Sequence, residues 1–310
     1  MRLKNKISIT KAICEARLFK KKTPLMASWA LSYRCNRRCI YCRIWELSRK
    51  ELSTPEVISM IDKFSSLGTQ CITFTGGEPL MREDIGEIIT YASRKGIFIK
   101  INSNGSMIPR RISVLAHLNS LSLSFDGPEE IQDYIRGEGS YAEVIEAVRV
   151  AKGYGINVSF LTVLSKVNLN SIDFILESAK KFQVAVLFQP ATSLLLGSGE
   201  KNPISCSSNE YEQAIRKLIA NKRINRYNIL NSTKGLWHLC HWPNQRSLPC
   251  AAGKISFRVE PNGEVHSCFK QVSHNLADIF CNDCWCGTQV EINYLSAWNI
   301  NAILNSIRWV

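Results

Sequence analysis

Short apolar runs alternate with longer amphipathic segments between about residue 26 and residue 190. Apolar runs of this length, bounded by polar turns, are typical of buried β-strands. The pattern predicts six strands, at residues 26–33, 71–75, 97–102, 121–125, 157–163 and 184–189. Because consecutive parallel strands need long crossover connections, the spacing of these runs favours a parallel α/β sheet.

The segments between the predicted strands have the apolar spacing of helices. Ser53 is in the N-cap position of the first segment, with Pro55 just inside it and Ile61 and Phe64 on its apolar face. Further helices are expected at residues 82–95, 141–153 and 171–182. A partial or complete β/α barrel and an open doubly wound sheet both fit this pattern. In either fold, ligands bind at the carboxyl ends of the strands.

The alternation of apolar runs and amphipathic segments ends after residue 190. Residues 191–210 are rich in Ser, Gly and Asn and predict a connection, residues 209–223 predict a helix, and residues 237–243 form an irregular aromatic stretch. Two short strand candidates at 255–259 and 265–268 predict a hairpin, and an apolar stripe predicts a helix at 295–310. The expected organisation is a basic arm at 1–25, a barrel at 26–190, a helical connection at 191–249 and a small cysteine-rich domain at 250–310.

Charge and cysteine content narrow the class of protein. The 310 residues have a formal net charge of +13, and the first 50 residues contain 14 Lys and Arg against two Glu. A basic arm of this kind differs from the basic stripe of a nucleic-acid-binding domain, so nucleic acid is not an expected partner. No apolar run is long enough to span a bilayer or to serve as a signal peptide, which predicts a cytoplasmic protein. Twelve cysteines in that reducing compartment indicate metal binding rather than disulfides.

Three cysteines follow the first predicted strand directly. Cys35, Cys39 and Cys42 are separated by three and two residues, and two arginines and a tyrosine lie between them. Zinc prefers four ligands, commonly in separated pairs, whereas this cluster has three and no adjacent fourth. A four-iron cluster held by three thiolates keeps one iron open for another ligand, and positive neighbours would offset its negative charge. The spacing therefore favours an iron–sulfur cluster with an open corner.

The motif Cx₃Cx₂C, with Tyr41 before its third cysteine, resembles the signature of the radical S-adenosylmethionine (SAM) superfamily. The resemblance implies a partial (β/α)₆ TIM-like barrel in which Cys35, Cys39 and Cys42 hold a [4Fe–4S] cluster. In that family the open iron binds the amino and carboxylate groups of SAM, and one electron cleaves SAM to methionine and a 5′-deoxyadenosyl radical.

Four further segments resemble family motifs, in the family order and mostly at strand ends. The first contains Gly76, Gly77, Glu78 and Pro79, which in the family contact the SAM amino group. Asn102 and Ser103 end the third strand, and Ser124 and Asp126 end the fourth. The resemblance implies that these residues lie near the ribose and methionine parts of SAM, and that Arg136 pairs with its carboxylate. It covers roughly residues 26–190.

The second cysteine group resembles the opening of a SPASM domain, Cx₉₋₁₅Gx₄C followed by CxxC. The sequence departs from the full pattern downstream, where position 290 is Val, so the shortened twitch version with one auxiliary [4Fe–4S] cluster is expected. Its implied ligands are Cys250, Cys268, Cys281 and Cys284, and Cys240 and Cys286 are substitute candidates. Zinc is the rival metal for these residues, because separated cysteine pairs suit zinc as well.

The resemblance implies an enzyme whose radical abstracts hydrogen from a substrate, in an oxidoreductase or dehydrogenase type of reaction. A one-electron donor such as a flavodoxin or ferredoxin is the implied partner. The basic arm before the barrel is too short for the leader-binding domain of many peptide-modifying relatives, which favours a small-molecule substrate over a peptide. A peptide- or protein-modifying maturase is the alternative. A non-catalytic iron–sulfur electron carrier and a zinc-bearing nucleic-acid-binding protein are alternatives from other classes.

Overall fold

The computed structural model describes residues 23–224, 227–242, 250–268, 284 and 286–296. These residues include eight strands: β1 Met26–Ser32, β2 Cys71–Gly76, β3 Phe98–Ser103, β4 Ser120–Ser124, β5 Asn157–Leu164, β6 Ala185–Pro190, β7 Ser256–Val259 and β8 Val265–His266. All eight belong to one sheet with the order β6–β5–β4–β3–β2–β1–β7–β8. The six strands predicted from the apolar runs are confirmed, with ends that differ by one or two residues.

The winding of the sheet distinguishes the two predicted arrangements. β1 to β6 follow one another across the sheet in chain order, and each pairs in parallel with the next. A doubly wound sheet contains a point at which the strand order reverses. Because β1 to β6 contain no reversal, the sheet is wound in one direction, as in a barrel. The prediction of a partial β/α barrel is confirmed, and the doubly wound alternative is wrong.

Helices of the described chain cover the outer face of the sheet and fill the segments between strands. They are α1 Thr54–Ser66, α2 Ile85–Arg94, α3 Ile108–Arg111, α4 Glu129–Arg136, α5 Ser140–Gly153, α6 Ile172–Lys181, α7 Ser208–Arg223, α8 Thr233–Leu239 and α9 Gly287–Ser296. The predicted helices at 82–95, 141–153, 171–182 and 209–223 correspond to α2, α5, α6 and α7. The sequence analysis missed α4, whose sequence is mostly polar, and described α8 as part of an irregular stretch.

Apolar side chains on alternate residues of the strands bury the outer face. Trp29 of β1 is fully buried and contacts Phe64 of α1 and Phe74 of β2, with ring centroids 5.9 and 6.1 Å apart. Full burial of one such side chain stabilises a fold by about 2–3 kcal/mol. Ser53 and Glu56 form the predicted N-terminal cap of α1, with Ser53 N donating to Glu56 Oε2 over 2.7 Å.

The C-terminal hairpin joins the barrel sheet. β7 and β8 are antiparallel, as predicted, but β7 also pairs in parallel with β1 over four residues, from Met26–Ser256 to Trp29–Val259. This long-range pairing was not predicted. The cysteine-rich segment therefore extends the barrel on the β1 side, and the domain boundary at residue 250 stays a prediction.

Helix α9 lies between the two edges of the barrel. On one side, Gln289 and Asn293 accept hydrogen bonds from Ser256 Oγ and Ala251 N over 3.0 and 2.9 Å. On the other side, Glu291 Oε1 accepts from Ser232 N over 2.8 Å, and α9 contacts α8 and β6. The helix thus bridges β7 and the β6 edge. It begins well before the predicted helix at 295–310, of which residues 297–310 lie outside the described part of the chain.

The basic arm predicted at residues 1–25 also lies almost entirely outside the described residues, which begin at Thr23. Within the part of the chain that the structure describes, no helix combines the length and the apolar character needed to cross a membrane. The role of the basic arm therefore stays a prediction from the sequence.

Asn231 continues the pairing at the outer edge of β6, just after a parallel bridge between Val186 and Ile229. Its Oδ1 accepts from Phe188 N over 2.8 Å and its Nδ2 donates to Phe188 O over 2.9 Å, and both residues are fully buried. We expect Asn231→Ala to lower the free energy of unfolding by about 2–4 kcal/mol, because both backbone groups of Phe188 lose their partner. The measurement is urea denaturation followed by circular dichroism.

The matched control is Asn221→Ala. Asn221 is on α7 and its Nδ2 donates to Lys217 O at an exposed position, so we expect a change below about 0.5 kcal/mol. Equal effects of the two substitutions would show that Asn231 does not stabilise the β6 edge.

Candidate active site at the carboxyl ends of the strands

The three predicted cluster ligands lie on one loop that leaves the carboxyl end of β1. Cys39 is buried, and Cys35 and Cys42 are half-buried. The thiols are close enough for each to raise the pKa of a neighbour, since Cys39 acts on both of the others. No three His, Cys, Asp or Glu side chains of the described residues converge as the ligands of a single metal ion do. A four-iron cluster binds each thiolate at a separate iron, so its three thiolates need not converge on one ion.

Each of the three sulfur atoms faces an N–H donor. Arg37 N donates to Cys35 Sγ over 3.4 Å, Arg136 Nη1 donates to Cys39 Sγ over 3.9 Å, and the backbone of Ile44 interacts with Cys42. Burial raises the pKa of the Cys42 thiol to about 12, and these donors act in the opposite direction by favouring thiolate. Metal binding would therefore deprotonate the three thiols, and the N–H groups would stabilise the resulting thiolates.

The glycine pair after β2 contacts the start of the cysteine loop. Gly76 has φ +126°, and a Cβ on Gly77 would lie 2.1 Å from the carbonyl oxygen of Arg34. Gly77 N donates to Ser32 O over 2.9 Å, and Glu78 N donates to Arg34 O over 2.8 Å. The two glycines are thus needed for the close approach of β2 to the residues that precede Cys35.

Glu78 connects the ends of β2 and β3. Its carboxylate accepts from Ser103 Oγ over 2.9 Å, from Asn104 N over 2.8 Å and from Leu80 N over 3.2 Å. The side chain is fully buried, and burial raises its pKa to about 7 against the opposing effect of these donors. Pro79 begins the short 3₁₀ turn that follows. The described contacts of Glu78 are structural, and its predicted contact with an ammonium stays a prediction.

Asp126 and Arg136 form a buried ion pair beside the cysteine loop. Arg136 Nε donates to Asp126 Oδ2 over 2.7 Å. Tyr41 OH also donates to Asp126 Oδ2, over 3.2 Å, and Arg136 donates to the Tyr41 hydroxyl. Burial alone would lower the pKa of Arg136, but Asp126 and Tyr41 raise it, so the guanidinium is charged. Its predicted pairing with a SAM carboxylate would compete with these partners and stays a prediction.

The remaining predicted residues are at the ends of β3 and β4. Asn102 and Ser124 are half-buried, whereas Ser103 is buried and faces Glu78. Asn102 of β3 pairs in register with Ser122 of β4. Ser124 lies two residues further along β4. The structure therefore brings the ends of β1 to β4 together around the cysteine loop, as the placement at strand ends predicts.

Polar residues that the sequence analysis did not select complete this region. Asn104 Nδ2 lies 4.0 Å from Cys35 Sγ, and Asn168 Nδ2 donates to Asp126 O over 2.8 Å. Gln132 Oε1 accepts from Asp126 N over 2.7 Å. Asn104 directly follows Asn102 and Ser103 at the end of β3 and could have been selected with them. Asn168 and Gln132 come from other segments of the chain, and no sequence pattern relates them to Asp126.

The second cysteine group is described in part. Cys286, just before α9, interacts electrostatically with Cys268 and with Arg258. Cys250 and Cys284 are half-buried, and Cys281 lies outside the described residues. Cys240 is buried in the core, with its Sγ 3.8 Å from Glu212 O of α7. Of the two substitute candidates, Cys286 is therefore the one beside Cys268.

This geometry agrees with the result of a family comparison. Residues 29–179 match the model of the Radical SAM superfamily. These residues include the cysteine loop, the glycine pair and the Asp126–Arg136 pair. Residues 29–179 are a radical SAM domain. The match covers just under half of the 310-residue chain, and a domain of this family implies SAM and a [4Fe–4S] cluster as cofactors. The trio of thiols with its N–H donors fits such a cluster.

The radical SAM domain is similar to curated and solved proteins. The chain is 32% identical over 165 residues to the Fe-coproporphyrin III synthase of Methanosarcina barkeri, a match that covers 51% of this chain and 41% of the relative. Mycofactocin maturase MftC of Mycobacterium tuberculosis is 25% identical, and the match covers 84% and 68% of the two chains. The chain spans roughly half the length of the first curated relatives it matches.

Solved structures share the fold at low sequence identity. The structure of Streptococcus suis SuiB bound to S-adenosylmethionine superimposes with a TM-score of 0.71 at 14% identity, and covers 96% of this chain and 71% of SuiB. At this identity the similarity shows the fold alone. It agrees with the partial barrel derived from the strand order.

We expect Gly77→Ala to lower the free energy of unfolding by about 1–3 kcal/mol, because its methyl group would overlap the Arg34 carbonyl. It should also lower the iron bound per chain after anaerobic reconstitution, since the cysteine loop starts at this contact. Gly153→Ala is the control, because nothing lies within 4 Å of its Cβ and its φ is not positive. Retention of full iron content by Gly77→Ala would contradict the expectation.

Glu78 should make the stability of the metal-free protein depend on pH. Its pKa is 4.5 in an ordinary environment and about 7 in the fold, so the folded state retains a proton that the unfolded state releases between these values. Stability should therefore fall as pH rises through this window. Between pH 5.5 and 8 we expect the parent to lose about 2 kcal/mol more than Glu78→Gln, measured by urea unfolding. Parallel pH profiles of the two proteins would refute this.

Proposed function

We propose that the protein binds a [4Fe–4S] cluster through Cys35, Cys39 and Cys42 and cleaves SAM reductively to take a hydrogen atom from a substrate. The observation that carries the proposal is the position of the three thiols within the radical SAM domain. Their loop leaves the carboxyl end of β1, where Ser32 and Arg34 contact the Gly76–Gly77 backbone. When bound, the cluster and SAM supply the electron and the 5′-deoxyadenosyl radical for that abstraction.

The protein's own residues would hold and orient these groups. The thiols bind three corners of the cluster, and N–H donors from Arg37 and Arg136 offset its negative charge. Gly76 and Gly77 let backbone approach the SAM amino group, and Asn102 and Ser124 present polar side chains at the strand ends. In this proposal the Asp126–Arg136 pair keeps the loop around Cys39 in place, and Arg136 retains N–H groups for the SAM carboxylate.

The substrate that we propose is a small molecule, and the reaction is an oxidoreductase or dehydrogenase type. The relatives support two substrate classes. Fe-coproporphyrin III synthase, named for a small tetrapyrrole product, is 32% identical over 165 residues. The mycofactocin maturase match is weaker in identity but longer, which keeps a peptide substrate as the second candidate. The higher identity favours the small molecule.

An auxiliary cluster is proposed for the second cysteine group. Its ligands would come from Cys250, Cys268, Cys281 and Cys284. The electrostatic interaction of Cys286 with Cys268 supports Cys286 as a substitute ligand. Such a cluster would either accept an electron from the substrate or order the C-terminal segment.

The proposed electron donor is a flavodoxin or ferredoxin. The exposed Arg38 guanidinium lies 4.1 Å from the ring centroid of Trp45, and Trp45 Nε1 donates to Cys42 O over 3.1 Å. A cationic surface this close to the cysteine loop suits an acidic protein partner, because complementary charge accelerates association. The donor would thus reach the cluster from the side of Arg38 and Trp45.

Anaerobic reconstitution followed by reduction with dithionite tests the proposal. We expect the parent to form 5′-deoxyadenosine from SAM and to bind about eight irons per chain if both clusters form. Cys39→Ala should form no 5′-deoxyadenosine and should bind about four fewer irons. Cys206→Ala, at a half-buried thiol outside both cysteine groups, should match the parent.

The other classes of function predict different results in the same experiment. An electron carrier would bind iron but would not consume SAM. A zinc-bearing nucleic-acid-binding protein would contain zinc without iron or sulfide, and its affinity for nucleic acid would fall steeply with salt. Formation of 5′-deoxyadenosine by Cys39→Ala at the parental rate would refute the proposed cluster ligands.

A further inference from the structure

Asn36 lies inside the cysteine motif, between Cys35 and Arg37, and its side chain contacts residues that follow β3. Asn36 Nδ2 donates to Ser106 Oγ over 2.8 Å, and Asn36 Oδ1 accepts from Asn104 Nδ2 over 2.9 Å. Ser106 Oγ in turn donates to Asn104 Oδ1 over 2.6 Å. These three side chains form a closed set of hydrogen bonds, which we call the polar ring. The polar ring joins the cysteine loop to the end of β3.

Asn104 is held in one orientation by its other partners. Its backbone N donates to Glu78 Oε2 over 2.8 Å, and its side-chain Oδ1 accepts from Ser106 N over 2.9 Å. A backbone N–H group can only donate, so the amide atom that faces Ser106 N must be the oxygen. The Nδ2 group of Asn104 therefore points away from Ser106 N and towards the cysteine loop.

The Asn104 amide has two N–H bonds on this side, and the structure places an acceptor near each. One acceptor is Asn36 Oδ1, and the other is Cys35 Sγ, which lies 4.0 Å from Asn104 Nδ2. Metal binding deprotonates a cysteine thiol, and hydrogen bonds to charged acceptors are shorter and stronger than neutral ones. Asn104 is thus oriented to donate to the Cys35 thiolate when a cluster is bound.

Asn104 differs in kind from the other donors around the three sulfur atoms. Arg37 N is part of the cysteine loop itself, and Arg136 is a buried cation paired with Asp126. The Asn104 amide is neutral, and its residue directly follows β3. A substitution of Asn104 can therefore remove one N–H donor without changing the formal charge of the site or the sequence of the cysteine loop.

We propose that Asn104 is a positioning residue whose N–H donation to Cys35 Sγ raises the reduction potential of the SAM-binding [4Fe–4S] cluster. Reduction adds one electron, and hence one negative charge, to the cluster and its thiolates. An N–H donor stabilises that added charge, and hydrogen bonds to the sulfur atoms are among the features that set the potential of such clusters. The electron comes from the external one-electron donor, and no bond to Asn104 forms or breaks.

The inference rests on the proposed function, because it assumes that Cys35 is a ligand of this cluster. It adds that a residue at the end of β3 controls how readily the cluster accepts an electron. The polar ring keeps the Asn104 amide beside the sulfur, since Ser106 fixes its oxygen and Asn36 fixes one of its N–H bonds.

An anaerobic redox titration of the reconstituted full chain, monitored by electron paramagnetic resonance without SAM, tests the proposal. The signal of the SAM-binding cluster is identified beforehand as the one that changes when SAM is added. We expect Asn104→Ala to bind as much iron as the parent and to lower the ratio of reduced to oxidised cluster at a fixed potential by about three- to tenfold. For one electron this corresponds to a midpoint potential lower by about 28–59 mV.

Ser106→Ala separates donation to the sulfur from anchoring of the loop. It removes a hydroxyl group from the polar ring, but the backbone N of residue 106 still fixes Asn104 Oδ1, so Nδ2 keeps its direction. We expect its midpoint potential to match that of the parent. Asn221→Ala is the control for the substitution itself, because it removes the same side chain from an exposed position on α7, and it should also match the parent.

A midpoint potential of Asn104→Ala at or above that of the parent, or an equal decrease in Ser106→Ala, overturns the proposal. Loss of bound iron from Asn104→Ala also overturns it, because the side chain would then be needed to hold the cluster and not to set its potential. A failure of the proposed function is recognised separately. The parent would then show no signal that responds to SAM and would form no 5′-deoxyadenosine on reduction.

Discussion

The hydrogen bonds that join the ends of β1, β2 and β3 are the constraint on which the rest of the site depends. Two backbone N–H groups of the Gly77–Glu78 segment donate to carbonyls at the end of β1, and the Glu78 carboxylate joins that segment to β3. Any side chain at Gly76 or Gly77 would overlap those carbonyls. The cysteine loop leaves β1 at this junction. Hydrogen bonds among three strands therefore fix the backbone from which the loop begins.

A buried carboxylate in this junction has an energetic cost, because Glu78 is fully buried and its pKa is about 7. Three donors surround it and reduce that cost, as buried polar groups require. The neighbouring Asp126–Arg136 pair follows the same principle, with Tyr41, Gln132 and Asn168 completing its hydrogen bonds. Stability comes mainly from the apolar outer face, which allows the carboxyl ends of the strands to carry polar groups.

The C-terminal segment contributes to the barrel as well as to the second cysteine group. β7 lengthens the sheet beside β1, and α9 bridges from β7 to β6. As a result, Cys286, just before α9, interacts electrostatically with both Arg258 and Lys100. Helix α9 thus places Cys286 of the second cysteine group against the barrel strands β3 and β7.

Local patterns determined much of this protein. The period of apolar residues specifies the six barrel strands and most of the helices. Burial of one face of an element depends only on the spacing of apolar residues within that element. The Cx₃Cx₂C spacing and the glycine pair carry the family resemblance that implies the cofactors, because both are short motifs that the chain contains locally.

Only the tertiary structure decided the winding of the sheet, the parallel pairing of β7 with β1 and the hydrogen-bond partners of Asp126. It also decided that Lys100 of β3 shares a register row with Arg258 of β7, a strand that follows all six barrel strands in the chain. These features depend on strand order and register between distant segments. Backbone pairing sets strand order and register. The side-chain pattern within one segment does not specify which strand will lie beside it.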